Sequence, residues 1–516
     1  MRIIRKIWIA IKNEFHYCKS SPLVFTKERE CYNITFLLLR GLGSNVTGFA
    51  KISRIGGLLL GGVLIASAAS AQTGATPPQY DPFADLWKRQ TLLGDMGGLR
   101  PWLQNYGATL SITENSELLG NIAGGMRRGF AYDGLTTMTF QLDTARAFGI
   151  DGGLFNASAL QIHGRNLAAD NLAGLQTPTG IQGERATRLW ELWYQQKFWN
   201  GDADVKIGQQ GLDQEFMVTT GGLLFLNAAL GWPILPTADL PGGGPAYPLS
   251  ALGVRLRAHP SSEFTMLAGI FNGSPTVNNN GDPQVVNHSG TSFPLNGGAL
   301  AIAELQYAYP SNGNMVAPGQ SPALPRTYRI GMWYDTESFG DQRFDFNGVS
   351  LANPASNGIP LGHHGTYAFY AVLDQMIWQS SEDGARSVSV FARATGTPQS
   401  DRNLVDFALN AGVTMHKPFE GRDNDTAGIV IGYAHVSGRA AGLDRDFNLF
   451  GTFTPVQSGE TFVEITYQAQ IAPWWQIQPD FQYVFNVGGG EVNPLSPTPR
   501  RINNEAVIGL RTNITF

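Results

Sequence analysis

Apolar and polar side chains alternate along much of this chain, and the alternation is sharpest in its last thirteen residues, 504–516. Ile508 and Leu510 fall on one set of positions, while Arg511 and Asn513 fall on the other. Because successive side chains of a β-strand point to opposite faces, this pattern predicts a strand between an apolar and a polar environment.

Fifteen earlier segments of the body carry similar patterns, so that sixteen strands are predicted. Their bounds are 108–119, 130–147, 154–166, 186–199, 203–216, 248–259, 263–273, 298–310, 326–339, 366–379, 386–398, 403–418, 425–438, 460–472, 475–486 and 504–516. Each is near the roughly 9–11 residues that a tilted membrane-spanning strand requires. The even count, and a last amphipathic strand that ends in an aromatic residue, are typical of bacterial outer-membrane barrels.

The connections between these segments alternate in length. The shorter set comprises 149–152, 200–204, 259–262, 310–325, 380–384, 418–424 and 473–474. The longer set comprises 167–185, 217–247, 274–297, 340–365, 439–459 and 487–503. Short turns on one side and long loops on the other indicate an antiparallel up-and-down β-barrel that spans a membrane. We therefore predict an all-β barrel of sixteen strands over 108–516.

The two faces of each predicted strand indicate which solvent each face contacts. In the segment 460–472, Val463 and Ile465 alternate with Glu464 and Gln468. A charge that faces lipid costs roughly 2–4 kcal/mol at the membrane midplane, so the polar face must contact water. The predicted barrel is therefore apolar outside and hydrated inside.

The first 71 residues have the composition of an export signal. A basic stretch at 51–54 precedes an apolar run at 55–65, and Ala69 and Ala71 form a cleavage motif that places the cut after Ala71. The alternative is a single membrane anchor. An apolar run of about eleven residues is, however, short of the ~20 that a spanning helix needs.

The segments on either side of this signal have separate interpretations. Residues 1–45 are long for an export signal, and we interpret them as an over-extended gene start. Residues 72–107 are predicted to be a periplasmic leader with one short helix, at about 98–106. Pro101 in the first turn and Gly107 after the last turn support that helix.

Composition narrows the classes of partner. Without residues 1–71 the chain has 26 basic and 38 acidic residues, a net charge of −12. Such an acidic body argues against nucleic acid as a partner, because phosphate binding needs clustered cations. Both cysteines, Cys18 and Cys31, lie in the predicted signal region, so disulfides and zinc–thiolate sites are not expected in the body. No cofactor is expected.

Several short motifs carry little weight. The adjacent His363 and His364 point apart in an extended chain, which disfavours a metal site. Neither a G-x-S-x-G nucleophile elbow nor an H-E-x-x-H zinc motif occurs. An enzyme with a Ser/His pair on a barrel wall remains an alternative, because such a pair needs no local motif.

Six segments resemble the OprB-type carbohydrate-selective porin family. They are 92–100, 188–196, 206–211, 225–233, 460–470 and 476–483. The resemblance extends over about 81–516 and implies a sixteen-stranded outer-membrane channel for monosaccharides such as glucose and related polyols, without energy input. The chain differs in a Gly-rich loop at 242–244 and in a long loop at 439–459, which leaves the substrate open.

A channel for sugars needs hydrogen-bonding partners and an aromatic surface, arranged as weak sites from which the solute can leave. We predict that the residues contacting the sugar are Arg165, Glu191, Lys206, Arg329, Trp333, Asp335 and Glu464. His163 is expected to face inward with Arg165, and the loop that carries Asp213, Glu215 and Phe216 is expected to fold inward. The alternative is that inward charges brace the wall and that Trp333 packs against an infolded loop.

Two other functions remain open at this point. One is a porin for small anions or carboxylates, against which the net charge of −12 argues mildly, and the other is the barrel enzyme. The expected partners are small carbohydrate solutes and the lipid bilayer of the outer membrane. A homotrimer is common among sixteen-stranded porins, but no segment of the sequence indicates an interface.

Overall fold

The structure is a computed structural model that describes residues 85–277, 281–310, 323–381 and 384–516. The predicted export signal, with its cleavage motif at Ala69 and Ala71, lies outside the described residues, as do the proposed gene-start extension 1–45 and most of the leader. Among the described helices, none is long and apolar enough to cross a membrane.

The described part of the chain forms one closed antiparallel β-barrel of sixteen strands. The strands are β1 (Ala108–Gly125), β2 (Gly129–Asp143), β3 (Gly153–Gly164), β4 (Ala186–Phe198), β5 (Ala203–Gln210), β6 (Ala251–Ala258), β7 (Phe264–Asn272), β8 (Ala299–Tyr309), β9 (Arg326–Asp345), β10 (Pro360–Gln379), β11 (Ser387–Gly396), β12 (Val405–His416), β13 (Thr426–Val436), β14 (Gly459–Ala472), β15 (Trp475–Phe485) and β16 (Asn503–Thr515). Each strand pairs with its neighbours in the chain, and β1 pairs with β16. The predicted architecture is confirmed.

The predicted strand bounds are wrong at several ends, because local hydrogen bonds stop or extend the ladder. β2 stops at Asp143, whose side chain accepts the N–H of Ala145 at 2.8 Å and so caps the helix that follows. β5 stops at Gln210, where the chain turns into the barrel. β9 continues to Asp345 and β10 already begins at Pro360, so the connection is shortened from the predicted 340–365 to 346–359.

Short helices occupy the connections. They are α1 (Leu99–Asn105), α2 (Thr144–Phe148), α3 (Ala228–Gly231), α4 (Ile234–Asp239), α5 (Pro283–Val286) and α6 (Gly438–Leu449). One π-helical turn covers Ala168–Leu172, and 3₁₀ turns cover Trp199–Gly201, Gly221–Leu224, Pro241–Gly243 and Val487–Gly489.

Helix α1 confirms the predicted N-terminal helix and lies at the rim with the short turns. The N–H of Leu92 donates to the carbonyl of Thr515 at 2.7 Å, and the Arg100 guanidinium donates to the carbonyl of Phe516. These contacts hold the segment before the barrel against the end of β16. The helix itself contains no buried residue, so its apolar side chains do not plug the barrel.

The outer face of the barrel is apolar, as predicted. Ile465 on β14 pairs with Phe481 on β15, and Leu510 on β16 pairs with Leu118 on β1. Leu510 is 49 % exposed although it is a large aliphatic side chain, which is the arrangement expected when lipid is the outer solvent.

Two long connections fold into the barrel, 165–185 between β3 and β4 and 211–250 between β5 and β6. Phe216 and Met217 of the second connection are buried in a cluster with Trp333 of β9 and Val372 of β10. The predicted inward folding of this loop is confirmed. The packed apolar core therefore lies inside the barrel, between the wall and the infolded loops.

Candidate functional site

Side chains of the wall hold the infolded segment 211–250 by its backbone. The carboxylate of Glu304 on β8 accepts the N–H of Met217 at 2.8 Å. Asp374 on β10 accepts the Thr219 hydroxyl at 2.8 Å and the N–H of Gly221 at 3.0 Å. These carboxylates take the place of the water that would otherwise pair with the loop, as buried backbone groups require.

The same loop is held further around the wall. Arg393 on β11 donates to the carbonyl of Met217 at 2.9 Å and to that of Gly231 at 3.1 Å. Glu464 on β14 accepts the N–H groups of Leu226 at 2.6 Å and Asn227 at 3.1 Å. The loop therefore follows the inner wall from β8 to β14.

The connection 165–185 is held in a similar way and meets the first loop. Glu460 on β14 accepts the N–H of Gln176 at 2.7 Å. The N–H of Gly180 donates to the carbonyl of Leu226 at 2.9 Å, and the N–H of Ala228 donates to the carbonyl of Thr177 at 3.0 Å. The two loops together define the space that remains inside the barrel.

A charged cluster lies on the inner wall at β5 and β6, where it contacts the start of the loop 211–250. It consists of Asp204 and Lys206 on β5, Arg255 and Arg257 on β6, and Glu215 in the loop. Arg257 Nε lies 2.7 Å from the Asp204 carboxylate, and Glu215 accepts a hydrogen bond from Arg255 at 3.0 Å as well as pairing with Lys206. Three cations thus face two carboxylates, and the Arg257 side chain is 31 % exposed.

Between the two loops lies a cavity of about 300 Å³ with both aromatic and polar walls. Trp232, Tyr247, Gln176 and Asp213 are among its lining residues. Tyr247 fixes the loops to each other, because its hydroxyl donates to the carbonyl of Ile181 at 2.6 Å. Trp232 donates from Nε1 to the carbonyl of residue 243 at 3.0 Å, which holds its ring in place.

Asp213 is the ionisable group of this cavity. Its carboxylate accepts the N–H of Tyr247 at 3.2 Å. Burial, with a smaller contribution from the nearby charge of Glu191, raises the pKa of Asp213 to about 7. The cavity therefore changes charge in the neutral pH range.

Three of the seven predicted site residues, Glu191, Lys206 and Arg329, lie on the inner wall beside the loop. Glu191 accepts the N–H of Gly211 at 3.2 Å, where the loop begins. Lys206 lies 4.5 Å from the centre of the Trp193 ring and pairs with Glu215. Arg329 lies on another part of the wall, 2.7 Å from Asp374, and its side chain is 11 % exposed.

Three others are buried beneath the loops and do not contact solute in this conformation. Trp333 is 1 % exposed and packs in the apolar core, which is the alternative role considered for it. Asp335 and Glu464 are 0 % exposed; Asp335 accepts the N–H of Glu337 at 2.8 Å, and Glu464 holds the loop. The strand pattern placed these side chains inward correctly, but a loop rather than water covers them.

The predictions for the end of the third strand need correction. Arg165 follows β3, its side chain is 63 % exposed, and it pairs with Asp170 at 2.8 Å on the surface of the loop. His163 lies on the outer face of the barrel, where it pairs with Glu114. Register with β2 places His163 opposite Gly134 and therefore on the lipid side.

Sequence reasoning did not single out Arg255, Arg257, Trp232 or Tyr247. Alternation along β6, where Arg255 and Arg257 alternate with Val254 and Leu256, was a usable signal for the two arginines. Within the described ranges no group of three or more His, Cys, Asp or Glu side chains has the geometry to hold a metal ion.

Comparison with known proteins gives one family match. The family described as "Carbohydrate-selective porin, OprB family" matches residues 127–516. Porin B of Pseudomonas aeruginosa is 24 % identical over 479 residues, which cover 89 % of this chain and 96 % of that protein. The putative porin QuiX of Acinetobacter baylyi is 22 % identical over 84 % of this chain and 95 % of its own length.

Solved structures show the same fold. The high-pH structure of Pseudomonas putida OprB has a TM-score of 0.72 and 23 % identity, with 84 % of this chain and 100 % of that chain covered. The low-pH structure of that protein has a TM-score of 0.51 and 18 % identity, over 83 % of this chain and 99 % of that chain.

Proposed function

The chain belongs to the carbohydrate-selective porin, OprB family, and on that premise we propose that monosaccharides such as glucose and related polyols diffuse through it passively. The family and the barrel fold support a place in the outer membrane, where the apolar outer wall contacts lipid. The relatives are porins, and we propose that this chain acts as a channel without catalysis.

The observation that carries this proposal is the cavity between the infolded loops. A sugar has hydroxyl groups that donate and accept hydrogen bonds and C–H faces that stack on aromatic rings. Trp232 and Tyr247 supply aromatic surface, and Gln176 and Asp213 supply hydrogen-bonding atoms within one space of about 300 Å³. Elsewhere on the inner wall, the pairs Lys206–Glu215 and Arg329–Asp374 offer strong donors and acceptors while each partner neutralises the other.

The predicted set of sugar-contacting residues is reduced by this geometry. Of that set, we propose that Lys206 and Arg329 contact the solute and that Glu191 positions the loop. We add Arg257, Trp232 and Tyr247 to the solute contacts. Trp333, Asp335 and Glu464 act as positioning residues, because their side chains have no surface available to a solute.

A porin for small carboxylates is the second candidate. The charged cluster on β5 and β6 carries three cations and two carboxylates, and Arg257 keeps part of its guanidinium accessible. An accessible guanidinium attracts anions even where the whole chain is acidic, because the nearest charges dominate the local potential.

Liposome swelling with glucose, succinate and arginine separates these functions. We expect the fastest swelling with glucose, and slower swelling with a disaccharide of the same concentration. Faster swelling with succinate than with glucose would favour the carboxylate porin. An absence of swelling with every solute, together with release of fatty acid from the vesicles, would favour a barrel enzyme.

Export remains part of the proposal. We propose that residues 1–71 form the signal region, with cleavage after Ala71, and that translation begins downstream of residues 1–45. Sequencing the N-terminus of the protein from purified outer membranes is expected to begin at Gln72. An intact Met1 would contradict both parts.

A further inference from the structure

A second cavity lies at the end of the barrel from which the long connections leave. Its volume is about 730 Å³. It is lined by Asp239 at the end of α4, Thr276 after β7, Glu337 and Phe339 on β9, and Arg402 in the turn before β12. We call this space the outer cavity, and the space of about 300 Å³ between the two infolded loops the inner cavity.

The two cavities adjoin at the glycine-rich turn 242–244. Gly242 lines both of them, and within α5 Pro283 lines the outer cavity whereas Gln284 lines the inner one. Gly242 has a φ of +61°, a conformation that favours glycine. A Cβ at this position would lie 3.2 Å from Pro275 and 3.4 Å from Pro283. The turn is therefore packed against the connection between β7 and β8 and forms the partition between the two spaces.

The sizes of the two cavities suit solutes of different size. Binding sites for small ligands have volumes of about 300–1,000 Å³. The inner cavity lies at the lower end of that range, as expected for a single sugar ring, and the outer cavity has more than twice its volume. Two linked sugar rings therefore fit the outer cavity better than the inner one.

Two buried polar groups in the wall of the outer cavity are incompletely paired. Asp239 and Thr276 are 9 % and 6 % exposed. Within the part of the chain that the structure describes, Asp239 Oδ2 and the Thr276 hydroxyl have no hydrogen-bond partner. The other oxygen of Asp239 accepts the N–H of Leu404 at 2.8 Å and so holds the carboxylate at the wall. Because buried polar atoms are normally paired, a hydroxyl-rich solute would supply the hydrogen bonds that these two positions can form.

The same wall also has apolar surface. Phe339 on β9, Pro241 at the start of the glycine-rich turn and Pro294 before β8 line the outer cavity. Sites for small ligands combine such surface with a few placed polar groups, which fix the orientation of the ligand. A sugar presents both kinds of surface, since its C–H faces pack against apolar side chains and its hydroxyl groups pair with polar ones.

The charges of the lining disfavour an anion. Asp239 and Glu337 carry carboxylates, and Arg402 is the cation among the described lining residues. The Arg402 guanidinium is paired with Asp401 at 2.9 Å and donates to the carbonyl of Gly365 at 2.7 Å. Its charge is therefore already compensated, and a neutral solute fits this wall better than a carboxylate does.

We propose that the outer cavity is a second carbohydrate site, which binds a neutral disaccharide beside the inner cavity that takes the monosaccharide. This inference rests on the proposed function in one respect, since both assign neutral sugars to the channel. A disaccharide in the outer cavity lies against the glycine-rich turn and obstructs entry to the inner cavity. Such a sugar is thus an inhibitor of glucose diffusion rather than a solute that crosses quickly.

The test measures how maltose blocks the ion current of the purified protein in planar lipid bilayers. Asn296→Trp places a large side chain at an exposed position of the outer cavity. Asn347→Trp is the matched control, because it makes the same change at an exposed position between β9 and β10, outside the lining of this cavity. Thr276→Val removes one hydroxyl with little change of size. We expect maltose block to be lost in Asn296→Trp, weakened severalfold in Thr276→Val and unchanged in Asn347→Trp.

Trp232→Ala separates the two sites, because of the two cavities Trp232 lines the inner one. We expect this variant to weaken block by glucose and to leave block by maltose intact. In liposomes, maltose should slow the swelling that glucose causes in the parent but not in Asn296→Trp. Heat-modifiable migration on a gel verifies that each variant barrel is folded.

An absence of maltose block in the parent would overturn the outer site. So would equal block in Asn296→Trp and Asn347→Trp, or a loss in Trp232→Ala as large as that in Asn296→Trp. Should Asn296→Trp not fold, unchanged block in Thr276→Val overturns the site instead. If glucose swells the liposomes but maltose does not block, the outer site fails and the proposed function stands; if maltose blocks but glucose does not swell them, the reverse holds.

Discussion

Glu464 on β14 and Leu226 in the infolded loop are 238 positions apart in the sequence, yet the carboxylate of Glu464 accepts the N–H of Leu226 at 2.6 Å. The same carboxylate accepts the N–H of Asn227. A side chain that the strand pattern orients toward the lumen is thus used to hold the loop that fills the lumen.

Glu464→Ala is expected to release this part of the loop. A buried N–H that loses its acceptor costs about 1–3 kcal/mol, so the loop should move away from the wall rather than remain unpaired. We expect a larger and noisier single-channel conductance and a lower melting temperature. Gln468→Ala, on the same face of β14, is the control and should leave both unchanged. An unaltered conductance in Glu464→Ala would contradict a positioning role.

Arg329→Ala is expected to change sugar block more than barrel stability. Asp374 would keep its bonds to Thr219 and Gly221, so the loop stays anchored, whereas the solute loses a charged donor. We expect glucose block of the ion current to weaken by roughly tenfold, which corresponds to ~1.4 kcal/mol. Arg165→Ala removes a guanidinium from the loop surface and should have no effect. Unchanged block with a lowered melting temperature would remove Arg329 from the solute contacts.

Arg257→Ala is expected to lower the anion-to-cation permeability ratio of the channel. The charged cluster would then hold two cations and two carboxylates. A unit charge a few Å from an ion in water is worth about 1 kcal/mol, so the anion-to-cation permeability ratio should fall by roughly twofold to fivefold. Reversal potentials in a KCl gradient measure the ratio. Arg257→Lys keeps the charge and should preserve it; equal values for both variants would disprove the electrostatic explanation.

The fold was predictable because its signals are local. Alternation with a period of two identifies each strand, and the order of short and long connections identifies the membrane side, so that all sixteen strands were located. The errors occur at strand ends such as Asp143 and Gln210, where a helix cap or a loop ends the ladder. Those ends depend on contacts that alternation does not encode.

The site was less predictable because burial inside a barrel is not local. The pattern shows that Trp333 points inward, but it cannot show that residues 211–250 cover it. Trp232 and Tyr247 lie in that loop. A loop has no side-chain periodicity from which spatial neighbours can be predicted, so only the folded structure shows that these two residues line the same cavity. The prediction that His163 faces inward from β3 was wrong for another reason. His163 faces lipid although its polarity favours the lumen.

Asp213→Asn is expected to make the stability of the loop less dependent on pH. Burial raises the pKa of Asp213 from 3.8 to about 7, so between these values the folded chain binds more protons than the unfolded chain. Stability therefore falls as the pH rises from about 4 through 7, and it is lowest above 7. Hydrogen exchange of residues 211–250 at pH 5 and pH 8 should differ less in Asp213→Asn than in the parent. Equal pH dependence in both would show that Asp213 is not the responsible group.

Trp232→Ala is expected to weaken sugar binding by removing the aromatic surface of the cavity. The indole also donates to the carbonyl of residue 243, so the loss of this bond must be separated from the loss of the ring. Trp232→Phe keeps a ring and removes the donor. If stacking is the contribution, glucose block should be weakened severalfold in Trp232→Ala and retained for the most part in Trp232→Phe, since aromatic contacts are worth about 0.5–1.5 kcal/mol. Equal loss in both variants would instead assign the effect to the hydrogen bond and the position of the loop.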